Sequence, residues 1–270
     1  MRNYFVKLVI KLSGIPLVQK FLVWIISRFQ LLIGIGLGGS PELSGEKILI
    51  EKLKQQYKNT GNPGCIFDVG ANKGKFLELM ENGLQGVPFH VHAFEPSHHT
   101  YQSLCINAGG YRNVTLNNKG LGKQIGDLEL YFNEEGSGLA SLYKRRLDHF
   151  NIDFKFSEKV MIDTLDNYCL SHDIQKIDLL KLDVEGHELD VLNGGLDMFA
   201  RKKIGMVSFE FGGCNIDSRT YFQDFYYFFK ENGMKNIYRI TPSGYLMPIL
   251  KYDEIYEQFR TTNFLVLMGN

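Results

Sequence analysis

The run Ile66-Phe67-Asp68-Val69-Gly70-Ala71-Asn72-Lys73-Gly74, followed about twenty residues later by Ala93-Phe94-Glu95-Pro96, constrains the fold of this chain more than any other feature. An apolar strand runs into a glycine-bearing turn that opens a helix, and the next strand ends on a carboxylate. That layout belongs to nucleoside-binding α/β crevices, where backbone N–H groups face the ligand and an acidic side chain accepts hydrogen bonds from ribose hydroxyls. The spelling is not that of a dinucleotide fingerprint. Gly-x-Gly-x-x-Gly lets a pyrophosphate press on a helix N-terminus; here only Gly70 and Gly74 are glycine, Asn72 takes a middle place and Asp68 precedes the turn. An acidic, less open turn suits a ligand with a ribose, no phosphate and a cationic amine.

S-adenosylmethionine fits that description, and a third motif narrows the match. Leu180-Lys181-Leu182-Asp183-Val184-Glu185-Gly186-His187-Glu188 is followed by Val191-Leu192-Asn193-Gly194-Gly195. Together with Asp68-Val69-Gly70-Ala71-Asn72 and Ala93-Phe94-Glu95-Pro96, these segments resemble the FkbM family of class I S-adenosylmethionine-dependent methyltransferases over residues 60–212. The resemblance implies an α/β fold with a Rossmann-like, doubly wound sheet, mostly parallel, whose last strand inserts antiparallel beside the fifth. It also implies an O-methyltransferase, in a family associated with sugar chains, polysaccharides and secondary metabolites. Carried over by motif, Gly70, Ala71, Asn72 and Gly74 would cradle the methionine part of the cofactor, Asp68 would face its amino group and Glu95 would hold the ribose hydroxyls. Adenine would rest near Leu121 and Gly122, where no acidic residue is evident to read its amine.

With 270 residues and 44% hydrophobic composition the chain can bury a full core. Its formal net charge of zero removes the bulk electrostatic case for a nucleic-acid partner. Cys65, Cys105, Cys169 and Cys214 are scattered without metal-ligand spacing and read as reduced, packing cysteines of a cytoplasmic protein.

The N-terminus departs from this even composition, because Arg2, Lys7, Lys11, Lys20 and Arg28 all precede the first acid, Glu42. Val18, Phe21, Leu22, Ile25, Phe29, Leu32 and Ile33 follow helical spacing, while Gln19, Lys20, Ser27 and Gln30 fall on another side. The pattern predicts an amphipathic helix. The longest uncharged stretch within the first 28 residues runs only from Leu12 to Gln19, with Phe21 to Ser27 next, against the roughly 20 apolar residues a bilayer span needs. The late, charge-interrupted apolar segment does not read as a cleaved signal either. Two readings stay open: a helix that packs on the core or on a second subunit of a homo-oligomer, and a basic helix lying peripherally on the inner face of a membrane. The stretch Gly34-Ile35-Gly36-Leu37-Gly38-Gly39-Ser40-Pro41 lacks the Gly-Lys-Ser/Thr ending of a phosphate loop and reads as a hinge. Residues 1–60 are therefore expected to form a helical extension (amphipathic helix, hinge, and a helix over 44–57), and residues 61–270 the methyltransferase domain.

Within that domain, strands are predicted at 65–69, 89–94, 114–116, 177–182, 204–209, 237–240 and 264–267, with an added antiparallel strand at 127–132. Helices are predicted through Phe76 and Met80, after Ser97, and over 189–199, 221–232 and 252–259. Their alternation argues a parallel sheet covered on both faces. The long connector 133–159 reads as a lid or acceptor-binding loop.

Parallel α/β sheets bind ligands beyond the carboxyl ends of their strands, and four carboxylates fall there: Asp68, Glu95, Asp183 and Glu210. Any one alone is an ordinary cap or salt bridge; together they make the crevice acidic. Methyl transfer from a sulfonium is an in-line displacement, so the protein must position the acceptor oxygen and take its proton. Asp183, Glu185, His187 and Glu210 are the candidates for that work. His187 has an unperturbed pKa of about 6.5 that suits a base, although a hydrogen-bonded structural histidine is the commoner role, and Glu188 suits the first turn of a helix. Asp183 and Glu210, with His187 or Asn215, form an alternative pair for a hard divalent cation, which the spacing does not favour. Asn215, Asp217 and Arg219 are candidates for sugar hydroxyls. Tyr221, Phe222, Tyr226 and Tyr227 offer a stacking surface, or simply core. The expected partner is a small-molecule or glycan acceptor. The rivals are an NAD-dependent oxidoreductase, which lacks its second and third glycines here, and a non-catalytic S-adenosylmethionine-binding module.

Overall fold

The computed structural model describes residues 2–39 and 43–269. Helices α1 (Arg2–Ser13), α2 (Pro16–Leu32) and α3 (Lys47–Thr60) precede the first strand. Strand and helix then alternate through β1 (Gly64–Val69), α4 (Lys75–Gly83), β2 (Phe89–Phe94), α5 (His98–Ala108) and β3 (Val114–Asn117). An inserted section follows, with β4 (Gly120–Leu121), β5 (Gly126–Phe132), β6 (Phe156–Asp163) and α6 (Leu165–Ser171). The alternation resumes with β7 (Ile177–Leu182), α7 (Glu188–Asn193), α8 (Leu196–Ala200), β8 (Ile204–Phe211), α9 (Cys214–Ser218), α10 (Phe222–Glu231), β9 (Asn236–Ile240), β10 (Leu246–Pro248) and β11 (Thr262–Leu267).

Eight strands form the main sheet in the order β10-β9-β11-β8-β7-β1-β2-β3. β1 pairs in parallel with both β2 and β7, and β7 with β8. The final strand β11 runs antiparallel between β8 and β9, as the family resemblance implies. From β1 the chain moves outward through β2 and β3, then returns to β7 on the other side of β1. The switch point where such sheets bind ligands therefore lies between β1 and β7. Successive side chains of a strand point to opposite faces, and both faces are buried here. Phe67, Leu180, Val207 and Phe264 join one core cluster with Phe199, Phe225 and Phe229, while Ile66, Leu179, Met206 and Leu265 join another with Leu49, Leu77 and Leu104. A second, three-stranded sheet, β4-β6-β5, stands beside the main one.

Three expectations about secondary structure change. The connector after β5 ends at Lys155, because Phe156–Asp163 is a strand; only Val160 and Ile162 of it reach the small core there, too few to show a period. The predicted helix over 189–199 is two helices broken at Gly194-Gly195. A Cβ on Gly194 would lie 2.1 Å from the Gly122 carbonyl oxygen and one on Gly195 2.5 Å from Leu165, so the break lets the inserted section close on the sheet. The helix expected at 252–259 is a single 3-10 turn, Glu254–Tyr256. Glu257 instead turns to the start of α10, accepting the Phe222 and Gln223 N–H groups at 2.8 and 2.9 Å.

The expected amphipathic helix is α2, but it does not pack on the core: none of its residues is buried. The glycine-rich segment is docked on the final strand's approach, where Gly36 and Gly38 N–H groups donate to the Thr261 carbonyl at 2.9 and 3.0 Å. Ser40 and Pro41, part of the predicted hinge, lie outside the described residues.

Gly70 and Gly86 separate backbone strain from crowding. Both have positive φ, but a Cβ on Gly86 meets nothing within 4 Å, whereas one on Gly70 would sit 1.9 Å from the Asp183 carbonyl oxygen. Gly86→Ala is expected to cost about 1 kcal/mol and Gly70→Ala at least about 3 kcal/mol in urea unfolding. Equal losses would refute the contact.

Candidate active site

The turn between β1 and α4 is tied to both neighbouring strands. Gly70 and Ala71 N–H groups share the Phe94 carbonyl at the end of β2, at 3.0 and 2.9 Å. Asn72, at φ 48°, takes a left-handed conformation that asparagine tolerates, and its N–H donates to Glu95 Oε2 at 2.9 Å. The Ser97 N–H donates to Glu95 Oε1 at the same distance. Two backbone donors thus fix the Glu95 carboxylate, and each oxygen retains further acceptor capacity. Burial pushes the Glu95 pKa up to about 7, against the pull of these two donors.

A charge cluster occupies the switch point. Asp68 is completely buried, and its register partner on β7 is Lys181. The Lys181 ammonium donates to Asp183 Oδ2 at 3.1 Å, lies 3.6 Å from Asp68 Oδ1 and sits over the Phe76 ring. Neither Asp68 oxygen has a hydrogen-bond partner among the described residues. Burial raises the Asp68 pKa to about 6, with Lys181 acting against it. Burial acts to lower the Lys181 pKa, but Asp183, Asp68 and Glu46 outweigh it and hold the ammonium above its ordinary value. Glu46, in the turn before α3, feels the same cluster: burial raises its pKa and Lys181 opposes the rise.

The turn after β7 carries the remaining acids. Asp183 N–H bonds the Val69 carbonyl at 3.0 Å and its side chain stays partly exposed. Glu188 is buried and accepts the Val184 and Gly186 N–H groups at 3.2 and 3.1 Å, so it organises this turn, consistent with its expected place in a first helical turn. Glu185, at φ 51°, meets the Arg145 guanidinium. Glu210, next to last in β8, is half-buried. Burial, then the nearby carboxylates Asp183, Glu185 and Glu188, raise its pKa well above the ordinary range.

His187 faces elsewhere. Its ring is buried, Nδ1 lies 3.2 Å from Asp190, Tyr143 stacks obliquely on it, and a Cβ on Gly122 would come within 2.7 Å of Nε2. Burial lowers its pKa. Leu121 is buried with Phe94 and Val69, so the predicted adenine-side pair presents Gly122 beside His187 and keeps Leu121 in the core.

Residues 133–147, the front part of the predicted lid, strap across these strand ends. Gly138 lies against the Asn72 side chain and Gly136 against Lys73. Ser141 Oγ donates to the Glu185 carbonyl at 2.7 Å, Tyr143 to Asp190 at 3.1 Å, and Arg145 bridges Glu185 and Asp217. A cavity of about 240 Å³ opens between the strap and the start of α5, lined by Ser97, His99, Glu134 and Gly136.

Several expected acceptor residues are engaged otherwise. Asn215 is wholly buried, with its amide spent on the Gly212 N–H and the Thr220 hydroxyl. Asp217 pairs with Arg145. Phe222 and Tyr226 are core, while Tyr221 and Tyr227 are exposed and Arg219 is free of ion pairs among the described residues. Among the described residues no three His, Cys, Asp or Glu side chains converge on a metal position, and Asp183 engages Lys181 instead. Lys181, Arg145 and Glu46 were given no role from sequence. Lys181 carried a signal: a lysine inside the apolar strand Ile177–Leu182 requires an acidic partner. Arg145 carried none that separates it from Lys144 and Arg146.

This sheet, with its switch-point crevice and final antiparallel strand, is a class I methyltransferase fold. The pattern of the Methyltransferase FkbM domain matches residues 68–235, more than half of the sequence, and the chain belongs to the FkbM methyltransferase family. No curated protein matches it. Among solved structures it is similar to an FkbM methyltransferase from Methylobacillus flagellatus (16% identity, TM-score 0.46), covering 76% of this chain and only 43% of that one. It is also similar to the N-terminal domain of human METTL16 in complex with SAH (10% identity, TM-score 0.43, 82% and 68% covered). A third similar structure is the Methanococcus jannaschii fibrillarin pre-rRNA processing protein (12% identity, TM-score 0.43, 76% and 66% covered).

Lys181→Met strands buried acids without their cation, a change that typically costs about 3 to 5 kcal/mol. Removing the ammonium moves the folded pKa of Asp68 further above its ordinary 3.8; such a group stabilises at low pH and loses that contribution as pH rises through its folded value. The loss in urea unfolding should therefore be larger at pH 8 than at pH 5. Equal losses at both would show that Asp68 does not depend on Lys181.

Proposed function

We propose that the protein transfers a methyl group from S-adenosylmethionine to a hydroxyl oxygen on a sugar, glycan precursor or secondary metabolite. The observation that carries the donor is Glu95, held by the Asn72 and Ser97 N–H groups. Its two oxygens form a fixed pair of acceptors for a vicinal diol such as ribose. Asp68, buried with no hydrogen-bond partner among the described residues, suits the cationic amine of the methionine part. Gly70, Ala71, Asn72 and Gly74 make the turn between the two, with Gly122 toward adenine. The same acids oppose a pyrophosphate, which disfavours NAD. When bound, the cofactor supplies an electrophilic methyl on a sulfonium.

The chain's own task is to orient the acceptor and take its proton. β7 and β8 are adjacent, so Asp183 and Glu210 border one side of the crevice. Asp183 is engaged by Lys181, Glu185 by Arg145, and His187 is turned to Gly122. That leaves Glu210, with its raised pKa and no ion pair among the described residues, as the proton acceptor, and Asp183 as an orienting acceptor for a neighbouring hydroxyl. A divalent cation is not part of this reading.

Calorimetry with S-adenosylhomocysteine tests the donor site. Glu95→Ala should weaken binding by about 1 to 3 kcal/mol, and Glu210→Gln should leave binding intact while lowering turnover about a hundredfold, measured by mass spectrometry on candidate sugars. Full activity of the Glu210 variant would exclude it as the base.

The pH dependence has a definite sign. Asp68 and Glu95 titrate at about 6 and 7 in the folded chain, above their ordinary 3.8 and 4.5. The ligand-free fold is thus favoured by their protonated forms and loses that contribution as pH rises through 6 to 7. An amine and a diol instead select the ionised carboxylates. S-adenosylhomocysteine should accordingly bind at least about tenfold more tightly at pH 8 than at pH 5. A flat profile would remove both acids from the site.

A further inference from the structure

Helices α1 and α2 carry an apolar surface that the rest of the chain does not cover. Tyr4 is 78% exposed, Leu17 77% and Trp24 56%, and α2 has no buried residue. On α2, Gln19, Lys20, Ser27 and Gln30 share one side, while Leu17, Phe21, Trp24, Ile25, Phe29 and Leu32 occupy the wide remainder. Neither helix is long and apolar enough to cross a bilayer, and the two meet at 97°. Among the described residues the hydrogen bonds that tie the pair to the body lie at its C-terminal end, where Gln30 bonds Gln258 and Arg260 and the Gly36 and Gly38 N–H groups bond Thr261.

Charge selects the occupant. Lys7, Lys11, Lys20 and Arg28 stand on these helices, no acid precedes Glu42, and none of the four forms an ion pair among the described residues. A second copy laid on this face would set cation against cation. An anionic bilayer surface supplies an apolar layer for the aromatic side and counter-charge for the cations together. We propose that α1 and α2 form an interfacial anchor that seats the enzyme on anionic lipid, lying in the membrane plane without crossing it.

Trp24 is the only tryptophan in the chain, so its fluorescence reports this surface alone. The full-length protein is mixed with phosphatidylcholine vesicles with or without phosphatidylglycerol. With phosphatidylglycerol in low salt, the emission should move to shorter wavelength, become quenched by brominated acyl chains, and return on adding salt; with phosphatidylcholine alone it should stay nearly unchanged. The variant Lys7→Glu, Lys11→Glu, Lys20→Glu, Arg28→Glu should lose at least about a hundredfold in vesicle affinity, since each cation contributes about fivefold. Circular dichroism and the melting curve of that variant should match those of the unaltered chain, because these side chains lie outside the core. Unchanged emission with anionic vesicles, or equal binding to both lipids, would overturn the proposal. So would emission already shifted in lipid-free protein whose light scattering grows with concentration, which would mean that a second copy covers the helices.

Discussion

The ammonium of Lys181, buried between Asp68 and Asp183, is the interaction on which the crevice depends. A carboxylate with no exposed surface at the centre of a parallel sheet is tolerated only with a nearby opposite charge or a bound proton. Lys181 supplies the charge from the adjacent strand, in direct register with Asp68. One cation nevertheless serves several acids, Asp68, Asp183 and Glu46 among them. The negative character in excess of that one cation is written into the floor of the crevice rather than into a movable side chain.

Around that floor the acids divide by what engages them. Glu95 is fixed by backbone N–H groups, Glu188 is consumed by its own turn, and Glu185 anchors the strap through Arg145. Glu210 is partly exposed and free of ion pairing among the described residues, and burial together with the neighbouring carboxylates raises its pKa. Four carboxylates of similar chemistry thus acquire different capacities from local geometry. Their positions at strand ends would not by themselves distinguish a support from a reactive group.

Much of this was legible in the sequence. β2 and β7 fall where their apolar runs place them, because a strand buried on both faces writes its limits in composition. The four strand-end carboxylates lie where the motif spacing puts them. What the sequence hid is what depends on distant contacts. The break at Gly194-Gly195 answers to Gly122 and Leu165, more than 29 residues away, and β6 shows its inward face through only two residues. The roles of Arg145 and Glu46 exist only once the strap and the turn before α3 close over β7. His187 reads from sequence both as a candidate base and as a structural histidine, because its position in the turn is visible there and its orientation toward Gly122 is not.

Gly70 has a bearing on how such motifs are interpreted. The space a side chain would need there is filled by the backbone oxygen of Asp183, whatever ligand is present. A relative that had lost its chemistry but kept its sheet would keep this glycine as well. Its presence testifies to the joint between two strands and not to catalysis. Evidence that a chain of this architecture is a working enzyme has to be sought at positions the fold could do without.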